Sequence, residues 1–361
     1  MDYRARLRKL QSTLTQKGLD ALLVTSLPNI RYLCGFTGSA AALVVTPKTA
    51  FFFTDGRYTE QARDEVRGAK IKIGKKAALA AASEYLAADK TRGSRKLGVE
   101  ADHLSLLDGQ RLKRTVGPKV RIRPVSGLVE GQREVKDAEE IGLVRSAVEL
   151  GSSLFEVALK TIRPGVAEAE VAAEMEYAAR QAGAEAMSFE TIIAAGERSA
   201  LPHGRASSSR IPAGGFVVCD FGVILAGYCS DMTRTVYVGR PSASERDMYE
   251  AVREAQQAAV EAVGPGVGVG EVDRAARNVL KKKGLGRYFT HSTGHGVGLE
   301  IHEPPRIAAG QNESLALGMV ITIEPGAYIP GRGGVRIEDM VVVTNNGCEV
   351  LTTTPKELIT I

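Results

Sequence analysis

Tryptophan is absent from the 361 residues of the chain, and aromatic residues make up only 5% of it. Proteins that bind single-stranded nucleic acid usually stack bases on aromatic side chains and carry an excess of positive charge. Here 47 basic and 42 acidic residues leave a net charge of only +5, so we expect no nucleic-acid partner. The densest basic stretch, LKRTVGPKVRIRP at residues 112–124, is interpreted as a solvated strand and turn.

Cysteine is scarce, and long apolar runs are missing. None of the four cysteines belongs to a CxxC pair, which in a chain of this length indicates reduced thiols in a cytosolic protein. No run approaches the ~18 apolar residues that a membrane span needs. The first residues, MDYRARLRKLQSTL, show the pattern of a charged amphipathic helix without the apolar core of a signal peptide. These observations predict a soluble, cytoplasmic protein without a membrane partner.

The pattern of apolar segments predicts two domains. Hydrophobic residues make up 44% of the chain, which is enough to build packed cores. Residues 1–125 alternate strand-like and helix-like segments, which is typical of an α/β layer around a central sheet. Residues 126–136 are polar and contain glycine, and we interpret them as a linker. The second domain, residues 137–361, begins with a long helix whose acidic first turn suits the positive end of the helix dipole.

An internal repeat divides the second domain. IRPGVAEAEV at residues 162–171 matches VGPGVGVGEV at residues 263–272, an offset of 101 residues. Each copy follows one predicted helix and precedes another, because Pro-Gly ends a helix and the segment after it begins the next. GPGVGVG lacks the GxGxxG spacing and does not follow a strand, so it is not interpreted as a dinucleotide loop. The repeat predicts two pseudo-symmetric α/β halves with a site between them.

Four acidic residues and a histidine of the second domain are the candidate metal ligands. The acidic residues lie beside strand-like apolar runs, where an unpaired buried charge would cost several kcal/mol or more, so such groups are usually paired or bind a cation. The set is rich in oxygen, which suits Mn²⁺, Co²⁺ or Zn²⁺ better than a thiolate-binding metal. The sequence therefore predicts two divalent ions that serve a hydrolysis. The candidates are Asp220 in VVCDFG, Asp231 in YCSDMTRT, His295 in HSTGHGVGL, Glu324 in TIEPGAY and Glu338 in VRIEDM.

The segment FVVCDFGVILAGYCSDMTRTVYV, residues 216–238, predicts a hairpin that turns near Leu225–Gly227. A turn centred between Leu225 and Ala226 would place Asp220 directly opposite Asp231. Cross-strand partners have Cβ atoms about 4.5–5.5 Å apart, which is close enough to share one ion or bridge two. The alternative is that both are ordinary aspartates of strand-end turns, and the other candidate ligands argue against it.

Three further histidines and an arginine lie close to these ligands in the sequence. His291 and His302 flank His295 in HSTGHGVGLEIHEPP, where intervening glycines permit close backbone approach. His203, in LPHGRAS, precedes the hairpin and completes a plausible ring of acid and base groups. Arg336 and Glu338 are two residues apart and are expected on one strand face, where the arginine would orient the carboxylate. No HExxH, GxSxG or catalytic Cys–His pattern competes with this interpretation.

In the order and spacing of these five ligand segments the chain resembles the Xaa-Pro metallopeptidases of the pita-bread fold, aminopeptidase P and proline dipeptidase, over its whole length. The resemblance implies an α/β (α+β) protein with a smaller N-terminal domain and a pseudo-symmetric catalytic domain. It implies two ions, with Mn²⁺ expected before Co²⁺ or Zn²⁺, and a homodimer that acts on small peptides with proline in second position. It also implies that Asp231 and Glu338 bridge the ions. On chemical grounds we expect Glu324, besides binding metal, to carry a proton to the leaving prolyl nitrogen. The histidines implied as catalytic or substrate-binding are His203, His291 and His302, and the arginines implied as substrate-binding are Arg306 and Arg336.

Four hypotheses about the activity remain open. GFTGSAAALVV and FFFTDGRYTEQA resemble aminopeptidase P, so we expect an Xaa-Pro aminopeptidase that releases the residue before proline. Arg306, in HEPPRI, resembles an arginine that some microbial dipeptidases use on the substrate carboxylate, so an Xaa-Pro dipeptidase is the alternative. A metal-independent creatinase-like hydrolase and a non-catalytic binding module are weighed as well. The complete ligand set argues against both of the last two readings.

Overall fold

A computed structural model describes residues 1–88 and 95–361 of the chain. It divides into two compact units, Met1–Arg133 and Glu134–Ile361. The division falls within residues 126–136, the segment predicted as a linker, which contains the short helix Glu130–Arg133. No helix in the described ranges is long and apolar enough to cross a membrane.

The first unit is built on one six-stranded mixed sheet. Its strand order is β4-β3-β2-β1-β5-β6, with antiparallel pairs β1–β2 and β2–β3 and parallel pairs elsewhere. The strands are β1 Ala21–Val24, β2 Ala42–Val45, β3 Ala50–Asp55, β4 Lys70–Gly74, β5 Arg95–Glu100 and β6 Val120–Val125. The helices are α1 Tyr3–Gln16, α2 Leu27–Cys34, α3 Thr59–Glu65, α4 Ala78–Ala88, α5 Leu106–Val116 and α6 Glu130–Arg133. The α/β prediction is confirmed, although the short helices α2 and α5 are not predicted from the sequence.

The second unit repeats one arrangement, in which two helices pack on antiparallel strands. Its helices are α7 Ala138–Thr161, α8 Glu168–Gln181, α9 Ala243–Glu261 and α10 Val269–Lys282. The strands of the first half are β7 Ala186–Met187, β8 Ile192–Ala195, β9 Gly215–Phe221, β10 Val223–Leu225, β11 Tyr228–Cys229 and β12 Met232–Val238. Those of the second half are β13 Gly294–Gly296, β14 Glu303–Ile307, β15 Val320–Ile323, β16 Gly326–Ile329, β17 Gly333–Arg336, β18 Asp339–Thr344 and β19 Gly347–Val350.

Each half has its own hydrophobic core. One core joins α7 and α8 to β8, β9 and β12, and the other joins α9 and α10 to the sheet β14-β13-β15-β18-β19 and to β16 and β17. The two copies of the sequence repeat immediately precede or begin α8 and α10. The helix predicted from Asp137 is also present, because Asp137 caps α7 and Glu140 completes a capping box. The pseudo-symmetric prediction is therefore confirmed.

Candidate metal centre

Asp220 and Asp231 are diagonal neighbours in the hairpin, and the predicted direct pairing is wrong. Strand β9 pairs with β12 so that Asp220 lies opposite Thr233. The turn is centred between Ala226 and Gly227, whose φ values of 48° and 82° are those of a tight hairpin turn. Because the turn lies one residue later than predicted, the partner of Asp220 moves by two residues. The even shift keeps both aspartates on the same face of the hairpin.

Three of the predicted ligands converge on one point. Asp231, His295 and Glu338 each offer a ligand atom, and these atoms lie within 4.8 Å of one another. His295 Nε2 is 3.6 Å from Asp231 Oδ2 and 3.6 Å from Glu324 Oε1. Asp220 lines the same cavity of about 820 Å³, so the structure brings all five predicted ligands together.

The two carboxylate oxygens of Asp220 have different surroundings. Arg336 Nη2 donates to Asp220 Oδ2 at 2.5 Å. Asp220 Oδ1 is buried and has no hydrogen-bond partner within the described part of the chain. A buried carboxylate oxygen without a partner is costly, and a cation in the cavity would satisfy it. Arg336 therefore orients Asp220, whereas the sequence predicted that it would orient Glu338.

The buried carboxyl groups disfavour each other's ionisation. The pKa of Asp231 is raised well above its ordinary range, mainly by burial and secondly by repulsion from Glu338. Burial, followed by repulsion from Glu324, raises the pKa of Glu338 in the same way. Burial raises the pKa of Glu324 to about 8. Divalent cations would compensate this repulsion, so the donor set fits a metal centre.

His295 is neutral and presents one nitrogen to the carboxylates. Burial lowers its pKa to about 4. Its Nδ1 lies 3.0 Å from the carbonyl oxygen of Gly296, which can only accept, so Nδ1 carries the proton and Nε2 has a free lone pair. A Cβ at Gly294 would lie 1.9 Å from the Thr322 carbonyl oxygen, and one at Gly296 would lie 2.2 Å from that of Pro304. The glycines around His295 therefore permit the close approach that the sequence predicted.

Two residues that the sequence analysis missed connect these groups. Thr233 Oγ1 donates to Glu338 Oε2 at 2.7 Å and accepts from Arg336 Nε at 3.1 Å. The phenol oxygen of Tyr328 accepts from Arg336 Nη1 at 2.7 Å. Thr233 lies two residues after Asp231, so either hairpin register places it on the ligand face, whereas no sequence signal distinguishes Tyr328 from an ordinary core tyrosine.

His291 is fixed through both ring nitrogens. Its Nδ1 donates to the Ser292 carbonyl oxygen at 2.8 Å, so its Nε2 accepts from the Tyr328 hydroxyl at 2.9 Å. Burial, followed by the nearby charge of Arg336, lowers the pKa of His291 to about 4. His291 is therefore a neutral, oriented group at the edge of the ligand cluster, 3.9 Å from Glu324 Oε2.

The other predicted site residues are exposed in the same cavity. They are His203, His302 and Arg306. The His302 ring centroid is 4.4 Å from that of His295, with the ring planes at 70°. Arg306 lies directly opposite His295 in the antiparallel pair β13–β14, so the two side chains leave the same face of the sheet. The structure thus brings every predicted site residue to one cavity.

Comparisons with known proteins agree with this geometry. Residues 142–345 match the model of metallopeptidase family M24, and residues 6–135 match that of the creatinase/prolidase N-terminal domain. The chain is 40% identical to the Xaa-Pro dipeptidase of Pyrococcus horikoshii over 357 residues, which cover 98% of each chain. It is similar in structure to an Xaa-Pro dipeptidase from Bacillus anthracis, with a TM-score of 0.95 and 42% identity over 100% of both chains. An X-Pro aminopeptidase from Thermotoga maritima has a TM-score of 0.88 and 36% identity, over 95% of this chain and 98% of that one.

Proposed function

The chain belongs to metallopeptidase family M24 and has the pita-bread fold, and from this premise we propose that it is an Xaa-Pro dipeptidase with two divalent ions. The sequence analysis favoured the aminopeptidase and kept the dipeptidase as its alternative. The relatives named Xaa-Pro dipeptidase, from Pyrococcus and Bacillus, support that alternative better. The complete set of five candidate ligands in one cavity argues against the metal-independent hydrolase and against the non-catalytic module.

Arg306 is the observation that supports a dipeptide substrate. It lies directly across the strand pair from the candidate ligand His295, and its side chain is exposed in the cavity. Within residues 1–88 and 95–361 the structure gives this guanidinium no salt bridge, so it is available to an anion. The C-terminal carboxylate of an Xaa-Pro dipeptide lies one residue beyond the bond that is cut. A longer peptide presents an uncharged amide at that point and would gain less from the arginine.

The proposed ligands are the five residues that meet in the cavity: Asp220, Asp231, His295, Glu324 and Glu338. Asp231 and Glu338, with the neutral His295, form its centre, and we propose that the two carboxylates bridge the ions. Two bound divalent ions would lower the pKa of water toward neutrality and stabilise negative charge on the scissile carbonyl. Mn²⁺ is the proposed metal, with Co²⁺ and Zn²⁺ as alternatives, because carboxylates dominate the donor set.

The protein groups around the ligands have distinct proposed roles. His302, exposed beside His295, donates a hydrogen bond to the oxyanion that forms from the scissile carbonyl. Glu324, which lies in the cavity with Oε1 3.6 Å from His295 Nε2, carries a proton to the leaving prolyl nitrogen. His203, which is exposed in the same cavity, binds substrate. Neutral His291 orients Tyr328, and through it Arg336, at the edge of the site.

Steady-state kinetics on matched substrates tests the proposal. Xaa-Pro and Xaa-Pro-Yaa peptides with the same first residue are compared with Mn²⁺, Co²⁺ and Zn²⁺ after removal of bound metal. A dipeptidase has a clearly higher kcat/KM for Xaa-Pro. Equal or better turnover of the tripeptide would restore the aminopeptidase, and activity that survives complete metal removal would contradict both.

A further inference from the structure

We propose that the buried ion pair between Lys136 and Glu303 is a positioning device that sets the orientation of His302. The inference rests on the proposed function in one respect, the role of His302 as an oxyanion donor. Lys136 lies immediately before helix α7, and Glu303 begins strand β14 directly after His302. The pair thus joins the start of the second unit to the loop that carries the proposed donor.

The two charges are almost completely removed from solvent. Lys136 Nζ is 3.0 Å from Glu303 Oε2, and the side chains are 1% and 3% exposed. A buried ion pair of this kind contributes little net stability, because desolvating both charges offsets their attraction. The pair constrains geometry, since neither charge can move without breaking the contact between Lys136 Nζ and Glu303 Oε2. The pair therefore fixes the position of Glu303 more firmly than apolar packing would.

The Glu303 carboxylate in turn organises the loop before it. Its Oε1 accepts from the backbone N–H of Glu300 at 3.1 Å. A Cβ on Gly298 would lie 2.7 Å from each of its carboxylate oxygens, so only glycine leaves room for the carboxylate there. The Gly298 carbonyl oxygen accepts from the N–H of Cys229, which ties the loop to the hairpin that carries the aspartates. Glu303 thus closes the loop 298–303 around its own side chain.

Lys136 is a fixed anchor at the other end. Its N–H donates to the Gly318 carbonyl oxygen at 3.0 Å. The next residue, Asp137, caps helix α7 through its side chain and a capping box. A residue fixed between a backbone hydrogen bond and a helix cap cannot follow a loop that moves. The ion pair therefore holds the Glu303 carboxylate at a fixed position relative to the start of α7.

His302 depends on its backbone for orientation. Across the described ranges, no group hydrogen-bonds to either nitrogen of its ring, in contrast to the two bonds that hold His291. Its ring packs against that of His295, with 4.4 Å between the centroids. Where the side chain has no polar partner, the loop must set its direction. A shift of about 1 Å at such a group can lower a rate about 10²-fold.

The test removes both charges together, because removing one partner of a buried ion pair is strongly destabilising. The double variant Lys136→Met/Glu303→Gln is compared with the wild type and with Leu154→Val. Leu154 lies in the core of α7, about 24 Å along the helix from its start. This control lowers core packing without contacting the loop. The measurements are metal content, melting temperature, and kcat and KM for Xaa-Pro.

We expect the double variant to retain its metal content and KM while kcat falls about 10-fold to 100-fold. Combining it with His302→Ala should bring no further fall in kcat beyond that of His302→Ala alone, since the pair acts through that ring. Leu154→Val should retain kcat even when its melting temperature falls as much as that of the double variant. Additive losses in the triple variant, or an equal kcat loss in the control, would overturn the proposal.

NMR of the histidine rings in the metal-free protein tests whether the ion pair positions His302, independently of activity. The chain has five histidines, and single His→Ala variants assign them. The ring resonances of His302 should change in the double variant, whereas those of His103, which belongs to the first unit, should not. An unchanged His302 resonance would overturn the positioning role. If the wild-type protein failed to cleave Xaa-Pro, the proposed function would fail, and this NMR comparison would still test the ion pair.

Discussion

The hydroxyl of Thr233 donates to Oε2 of Glu338 at 2.7 Å, from the position directly opposite Asp220 in the hairpin. Thr233 also accepts from Arg336 Nε, and Arg336 Nη2 donates to Asp220. One hydroxyl and one guanidinium therefore orient carboxylates on both sides of the candidate centre. Replacing a group that orients a metal ligand typically lowers metal affinity or activity about 10-fold to 100-fold.

We predict that Thr233→Val lowers divalent-metal affinity about 10-fold to 100-fold, because Glu338 loses the donor that orients it. The matched control is Thr235→Val on the same strand. Its hydroxyl donates to the Arg336 carbonyl oxygen at 2.9 Å and does not contact a ligand carboxylate. Calorimetric titration with Mn²⁺ should show the loss in the first variant and a much smaller change in the second. Equal losses would show that Thr233 has no specific role.

The metal-free protein should lose stability as the pH rises from about 6.5 to 8. Burial raises the pKa of Glu324 from an ordinary 4.5 to about 8, so in this window the folded state holds a proton that the unfolded chain releases. The raised pKa values of Asp231 and Glu338 act in the same direction. The pKa values of His291 and His295 are lowered from 6.5 to about 4, and these two groups oppose the effect most strongly below pH 6.5 and progressively less above it.

Melting temperatures measured in chelator at pH 6.5, 7, 7.5 and 8 test the predicted direction of this pH dependence. They should fall steadily, and saturating Mn²⁺ should abolish the fall, because bound cations favour the ionised carboxylates. Glu324→Gln should reduce the slope in the metal-free series. A melting temperature that stays level or rises across this window would contradict the assigned burial of the carboxyl groups.

Much of this site could be predicted because its residues lie in short segments with a local signature. His295 is surrounded by glycines, and Glu324 precedes Pro325-Gly326 directly after a strand. The register of the hairpin could not be predicted, since a turn displaced by one residue changes every cross-strand partner. The partners Lys136 and Glu303 are 167 residues apart, and no local pattern connects them. Long-range polar contacts of this kind depend on the packing of the entire unit.

Asp231→Asn should cost the protein most of its bound metal if this carboxylate bridges the ions. Its Oδ2 lies 3.6 Å from His295 Nε2, and its ligand atom belongs to the cluster with Glu338. We expect fewer than one tightly bound ion per chain by elemental analysis, against about two in the wild type. Asp339→Asn is a useful comparison, because Asp339 is buried and paired with Arg234 but does not line the cavity. Full metal content in Asp231→Asn would exclude a bridging role.

His295→Ala and His302→Ala should separate metal binding from catalysis. His295 Nε2 faces two candidate ligand carboxylates, so its loss should lower metal content. His302 lies outside that group, and its loss should leave metal content unchanged while kcat falls about 10²–10³-fold, the usual effect of removing one oxyanion donor. Elemental analysis and steady-state kinetics on the same samples give both quantities. Equal metal loss in the two variants would refute this division of roles.

Arg306→Ala should raise KM for Xaa-Pro about 10-fold, which corresponds to about 1.4 kcal/mol for a charged contact with the substrate carboxylate. The effect should be specific to dipeptides, since Xaa-Pro-Yaa presents an amide where the dipeptide presents its carboxylate. Arg205→Ala is the matched control, because Arg205 lines the same cavity but is paired with Glu190 at 3.0 Å. KM is measured for both substrates. If Arg306→Ala raises KM equally for Xaa-Pro and Xaa-Pro-Yaa, this arginine does not select substrate length. The case for the dipeptidase would then rest on the relatives alone.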